Sequence, residues 1–301
     1  MLFLPWLIPI NGHAQEVIQL TWPSRFAAEP QSVPGDASAF LPAFRLAINT
    51  FPEANILALA LTQPTMLGLT SEQATRLQPQ FTDVYHRLAE SDLYGKTKSA
   101  LPYCFADKKP DYGLATVYVP HGLNAQTPVL LFIHGYGGSF LWYSFVLSQW
   151  FPDALIICPA FGISPAAIPQ SYVSECLDAL SRKIQSPLDK PCLLGLSAGG
   201  FGACRLFVQH PATYSGLICL GSFPPDDTLQ RFDRMAHPRF LCGSHEPYVL
   251  SGDMQRRLAR VRLDCRDAEL RLIPKADHFF LLSHPDDTRK HLQEWFPVKI
   301  R

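Results

Sequence analysis

The chain has no charge of either sign to spare: Lys+Arg and Asp+Glu each number 26 in 301 residues. A protein that grips nucleic acid carries a basic excess to meet phosphate, so the balance argues against that partner. Charged residues make up only 17% against 47% hydrophobic, which excludes a disordered or coiled-coil chain. No apolar run reaches the roughly 20 residues that a membrane-spanning helix needs. No Cys-x-x-Cys pair occurs among the eight cysteines, so a zinc site of that kind is not expected. Internal repeats and low-complexity tracts are absent too. What remains is long enough for one large domain or two modest ones, with a core that needs no staple.

Proline is plentiful at 27, and many of those residues fall between expected elements, where a missing N–H does least harm. Cys158, Cys192, Cys219 and Cys242 sit in or beside short apolar runs and read as small buried thiols. Cys104, Cys176, Cys204 and Cys265 lie elsewhere and leave room for one or two disulfides. Residues 2–10 are apolar, and Gly12-His13-Ala14 puts small residues where a signal peptidase reads them. Residues 1–14 thus resemble the end of a secretory signal, implying a secreted or periplasmic protein, although no Lys or Arg precedes the run. The competing reading is a buried N-terminal segment of a cytoplasmic protein.

Residues 15–97 show no strand–helix alternation and read as a helical pre-segment. One helix is expected over 52–61, with Pro52 at its first position. A second opens with the capping-box spacing Thr70…Gln73 and runs toward Tyr94, with a kink expected at Pro79. From about 98 the rhythm changes. Residues 100–105 and 114–119 flank a turn-rich stretch and suggest a hairpin. Short apolar runs follow at 129–133, 154–158, 192–196, 216–220, 239–242 and 270–273, without the alternation of a half-exposed strand. Helical patterns separate most of them, at 170–184, 200–209, 251–262 and 285–295. Such alternation predicts an α/β fold with a mostly parallel central sheet flanked by helices.

Gly195-Leu196-Ser197-Ala198-Gly199 follows one apolar run and opens a helical one. A serine on so tight a strand-to-helix turn stands exposed at the carboxyl end of the sheet. The helix N-terminus beneath it favours developing negative charge. With this motif in that context, residues 98–301 resemble an α/β-hydrolase. The stretch His210-Pro211-Ala212-Thr213-Tyr214 and the run after it, 215–221, are similar to that family's link from the nucleophile helix to the next strand. The resemblance does not reach residues 15–95.

The resemblance implies a nucleophile, Ser197, and an oxyanion hole. His134-Gly135-Tyr136-Gly137-Gly138 follows the run 129–133, where the family carries its second donor, so the hole would be the backbone N–H groups of Tyr136 and Ala198. His134 itself reads as an anchor of that loop. A serine hydroxyl needs a base, and His278, between the last strand run and the last helix, occupies the family's place for it. His245, His284 and His291 are its rivals. Gly243-Ser244-His245-Glu246-Pro247-Tyr248-Val249 has the family's Gly-x-x-acid-x-x-Val shape and offers Glu246 as the carboxylate that orients the imidazole. Asp226 or Asp227 is the fallback, and Asp277 reads as a solvated loop charge.

Phe140, Leu141, Trp142, Tyr143, Phe279 and Phe280 flank these motifs and read equally as an acyl pocket or as core. Roughly 40 residues separate Ser197 from Arg239, too few for a large cap. No Arg or Lys cluster beside the motifs suggests a phosphate or carboxylate clamp. The expectation is a serine hydrolase with a Ser-His-Glu triad acting on a small-molecule ester or acyl substrate, with no metal or organic cofactor implied. Two alternatives stand beside it: a peptidase of the prolyl-oligopeptidase type, and a non-catalytic binding module on the same fold.

Overall fold

The structure, a computed structural model, describes residues 14–29, 41–64, 69–234 and 236–296. The signal-like stretch expected at 1–14 therefore lies, but for Ala14, outside the described residues. Eight strands form one sheet: β1 (Glu16–Pro23), β2 (Tyr112–Val119), β3 (Val129–Ile133), β4 (Leu155–Ala160), β5 (Cys192–Leu196), β6 (Gly216–Leu220), β7 (Arg239–Gly243) and β8 (Glu269–Ile273). Their order is β1-β2-β4-β3-β5-β6-β7-β8. Strand β2 runs antiparallel to both β1 and β4, and from β4 onward every pairing is parallel.

Before β2 lie α1 (Leu41–Thr50), α2 (Glu53–Leu61), α3 (Ser71–Glu90) and the single turn α4 (Leu101–Cys104). The crossovers carry α5 (Leu141–Trp150), α6 (Gln170–Ile184) and α7 (Ala198–Gln209). After β7 come the short α8 (Pro247–Leu250) and then α9 (Asp253–Val261). Short α10 (Phe280–Ser283) and α11 (Pro285–Trp295) follow β8.

The apolar runs become strands because both faces are covered. All five residues of β3 are buried, and successive side chains point to opposite sides. Val129, Leu131 and Ile133 join the core with α6, α7 and α9, while Leu130 and Phe132 join the core with α3, α5 and α11. Because β3, β5, β7 and β8 are parallel, the loops after them share one edge of the sheet, where such folds gather ligands.

Three local expectations need correction. Residues 16–23, within the stretch read as helical, are strand β1. Leu20 and Trp22 alternate inward from a β-prone Val-Ile-Gln-Leu-Thr-Trp run that Pro23 ends at the edge of the sheet. Residues 101–104 are a helical turn rather than one arm of a hairpin. Ser99 Oγ accepts the Leu101 N–H at 3.1 Å, Pro102 sits in the first turn, and β2 takes β1 as its partner. Helix α3 is opened by the reciprocal Thr70–Gln73 capping box and continues past Pro79 to Glu90. All eight cysteines are free and buried, Cys104, Cys176, Cys204 and Cys265 included, with Cys204 Sγ 3.6 Å from Cys219 Sγ.

Candidate active site

Ser197, directly after β5, has φ 53° and ψ −118°, a strained position for a residue with a side chain. Its N–H donates to Leu220 O at 2.8 Å and its carbonyl accepts from Gly200 N–H at 2.9 Å, which pins the turn from both sides. The flanking glycines are steric necessities. A Cβ on Gly195 would lie 2.5 Å from Gly199 O, and one on Gly199 would lie 2.2 Å from Ile133 O. The turn can be this sharp only where neither residue has a side chain.

Glu246 and His278 come from the loops after β7 and β8, which are laced together. His245 N–H donates to Ala276 O at 2.9 Å, and Lys275 N–H to Ser244 Oγ at 2.8 Å. A Cβ on Gly243 would lie 2.4 Å from Ala276 O, so glycine permits this contact. The lacing brings Glu246 Oε2 to 2.9 Å from His278 Nδ1, and His278 Nε2 to 2.9 Å from Ser197 Oγ. With its proton on Nδ1 donating to Glu246, the ring leaves Nε2 to accept from the serine hydroxyl. Glu246 is 1% exposed, while the His278 side chain is 37% exposed: the carboxylate is sealed and the imidazole faces the solvent edge. Glu246 Oε1 is buried without a hydrogen-bond partner among the described residues. A base so placed can take a proton from Ser197, and the carboxylate can hold the resulting imidazolium.

The loop after β3 turns on Gly137 and Gly138, with φ 101° and 103°. Gly137 N–H donates to Ile163 O at 2.9 Å. His134 is fully buried. Its Nδ1–H donates to Gly135 O at 2.7 Å, and its Nε2 accepts from Phe161 N–H at 3.2 Å. Burial pulls its pKa down to about 4 against the opposing pull of the Gly135 bond, so the ring is a neutral clamp between two loops. Neither the Tyr136 nor the Ala198 N–H donates to an acceptor among the described residues. A Cβ on Gly135 would lie 3.5 Å from Ser197 Cβ, so the start of this loop borders the serine.

The other candidates are engaged elsewhere. Asp227 takes the Arg205 guanidinium at 2.8 Å, and Asp226 takes Arg257 at 2.6 Å. His284 bonds Ser283 Oγ, His291 bonds Arg271, and His245 is exposed. Asp277 is not a solvated loop charge: its side chain is 15% exposed and paired with Arg76. Leu141, Trp142, Tyr143 and Phe280 are core, whereas Phe140 and Phe279 are half-buried. One residue escaped the sequence reading. Gly221, at φ 56°, sits where a Cβ would lie 3.1 Å from His278 Cε1 and 3.3 Å from Glu246 Oε1. A glycine closing the apolar run 216–220 was the available signal.

A family model described as alpha/beta hydrolase fold matches residues 128–241, from β3 into β7. A pimeloyl-[acyl-carrier protein] methyl ester esterase from Aeromonas hydrophila subsp. hydrophila is 31% identical over 139 residues, 45% of this chain and 52% of that protein. The match thus spans about half the length of the curated relative. Among solved structures, a dienelactone hydrolase from Anabaena variabilis is 18% identical, with a TM-score of 0.47 over 65% of this chain and 94% of that one. The naproxen esterase (carboxylesterase NP) from Bacillus subtilis is 13% identical, with a TM-score of 0.43 over 61% and 88%. The family match runs from β3 into β7 and across the strained serine turn, and with the strand order it shows an α/β-hydrolase fold.

Proposed function

We propose that the chain is a serine hydrolase that cleaves a carboxylic ester through an acyl-enzyme. The observation that carries this reading is the unbroken relay Ser197 Oγ, His278, Glu246, two hydrogen bonds of 2.9 Å each, ending on a buried carboxylate. In this reading His278 Nε2 takes the hydroxyl proton while Ser197 Oγ attacks the ester carbonyl. Glu246 holds the Nδ1 proton and stabilises the imidazolium. The carbonyl oxygen becomes an alkoxide facing the Tyr136 and Ala198 N–H groups, and a preorganised donor of this kind is worth about 10²–10³ in rate. The imidazolium then protonates the leaving alkoxide, and the alcohol departs. Water, deprotonated by the same nitrogen, attacks the acyl-enzyme, and Ser197 regains its proton as the acid leaves.

The class of substrate has one further support. The relative from Aeromonas hydrophila is by name a methyl ester esterase, and the part of this chain similar to it extends over 139 residues. Only the ester is carried over here, not the acyl group or its carrier.

The test is a panel of p-nitrophenyl esters and of aminoacyl and prolyl amides, run beside Ser197→Ala. The expected result is ester turnover that falls at least about 10³-fold in the variant with folding unchanged. Equal activity in the variant means another nucleophile. Amide turnover with esters untouched moves the reading to the peptidase. A wild type that neither turns over esters nor reacts with a fluorophosphonate at Ser197 favours the binding module.

A further inference from the structure

The helices before β2 have no part in the relay, yet one of them is tied to both loops that would serve it. At its N-terminal end, α3 meets the residue beside the base. Asp277 Oδ2 accepts from Gln73 Nε2 at 3.0 Å and from the Arg76 guanidinium. Asp277 Oδ1 accepts the Phe279 N–H at 3.0 Å, which closes the turn around His278. Gln73 is itself fixed, because its Oε1 accepts the Thr70 N–H at 2.9 Å in the capping box. About 14 Å beyond Arg76 along the same helix, nine residues at 1.5 Å each, stands Tyr85. Its hydroxyl donates to Glu53 Oε1, and the same oxygen accepts Leu141 N–H at 2.8 Å, at the start of α5 directly behind the Tyr136 loop. Glu53 Oε2 accepts from Ser99 Oγ.

Asp277 adjoins His278 in the chain, so what fixes its carboxylate also fixes the turn that carries the ring. Burial alone would push the Asp277 carboxyl up, but Gln73, the Phe279 N–H and Arg76 together hold it below the usual range. The charge is kept, and it is turned toward α3. A helix held by hydrogen bonds near each end is stiff on the scale of the gap it spans, so the two loops cannot drift independently.

We propose that α3 is a positioning strut for the active site, with Asp277, Gln73 and Arg76 as positioning residues that set the ring of His278. The inference rests on the hydrolase reading for its kinetic consequences, but not for its geometry.

Two measurements on the full chain test it: wild type, Asp277→Asn, Arg76→Gln, Arg76→Lys and the Asp277→Asn/Arg76→Gln double variant. The first is the His278 Nδ1 proton resonance, which needs no turnover. It should be sharp and protected in wild type and Arg76→Lys, and broadened by exchange in the other three. The second is kcat and KM for p-nitrophenyl acetate together with the rate of fluorophosphonate labelling at Ser197, normalised to folded protein. We expect kcat and the labelling rate to fall at least about 10-fold in Asp277→Asn and Arg76→Gln, with KM within about twofold. The double variant should be no worse than the single ones, and Arg76→Lys should recover most of the loss. An unchanged resonance in Asp277→Asn and Arg76→Gln overturns the strut. So do losses that multiply in the double variant, or a fall no larger than the loss of folded protein. A wild type inert to both ester and fluorophosphonate defeats the esterase reading, and the resonance still decides the strut.

Discussion

Glu246 Oε2 and His278 Nδ1 lie 2.9 Å apart although 32 residues of chain separate them, and the carboxylate is almost wholly sealed from solvent. The contact depends on the reach of a glutamate. Shortening it to Glu246→Asp withdraws the oxygen by about one carbon–carbon bond, ~1.5 Å, from a ring held by its own loop. Under the proposed chemistry, kcat should fall about 10- to 100-fold in Glu246→Asp. In Glu246→Gln it should fall up to about 10⁴-fold, because the amide no longer selects the tautomer that leaves Nε2 free. Steady-state kinetics on a p-nitrophenyl ester, with folding followed by circular dichroism, measures both. Wild-type kcat in Glu246→Gln would refute the assignment, and a large loss in Asp226→Asn or Asp227→Asn alone would redirect it.

Gly221, directly after β6, lies where a side chain would meet the same pair. Ala at φ 56° costs roughly 1–2 kcal/mol of backbone strain, and its methyl would crowd His278 Cε1. Gly221→Ala should lower the urea midpoint and reduce kcat beyond the loss of folded protein. A variant with unaltered midpoint and turnover would show that the backbone there relaxes freely.

His134 should leave a mark on acid stability. Burial holds its folded pKa at about 4, below the roughly 6.5 of an exposed ring. Its contribution is therefore complete above pH ~6.5 and is lost as pH falls toward 4, because only the unfolded chain binds the proton. The full loss is about 3 kcal/mol. His134→Asn should be less stable at neutral pH, and its urea midpoint should decline less between pH 7 and 4.5. Parallel declines in the two proteins would contradict the buried neutral ring.

The thiols give an independent check on the core. All eight cysteines are free and buried, and burial pushes Cys104, Cys158, Cys192 and Cys242 up to about 12, so they are neither accessible nor ionised near neutral pH. Dithionitrobenzoate should titrate essentially none in the native protein and all eight after denaturation in guanidinium. Rapid reaction of several native thiols, or fewer than eight after unfolding without reductant, would contradict this packing.

The serine turn, the two-faced strands and the helices after them were readable from the amino-acid string because each depends on neighbours within a few residues. Gly195 and Gly199 flank Ser197, apolar runs lack alternation, and Gln73 caps from three residues away. The strand at 16–23 was not readable in that way: its partner is β2, nearly a hundred residues on, and its alternation is too short to stand out. Asp277 could be named but not placed, because what removes its charge from solvent is Arg76, 201 residues earlier. Gly221 likewise has its meaning from His278 and Glu246, which reach it from other strands. Local patterns determine which segments become strands and turns. Tertiary packing decides which side chains meet, since hydrogen bonds and steric fit act across space without regard to separation along the chain.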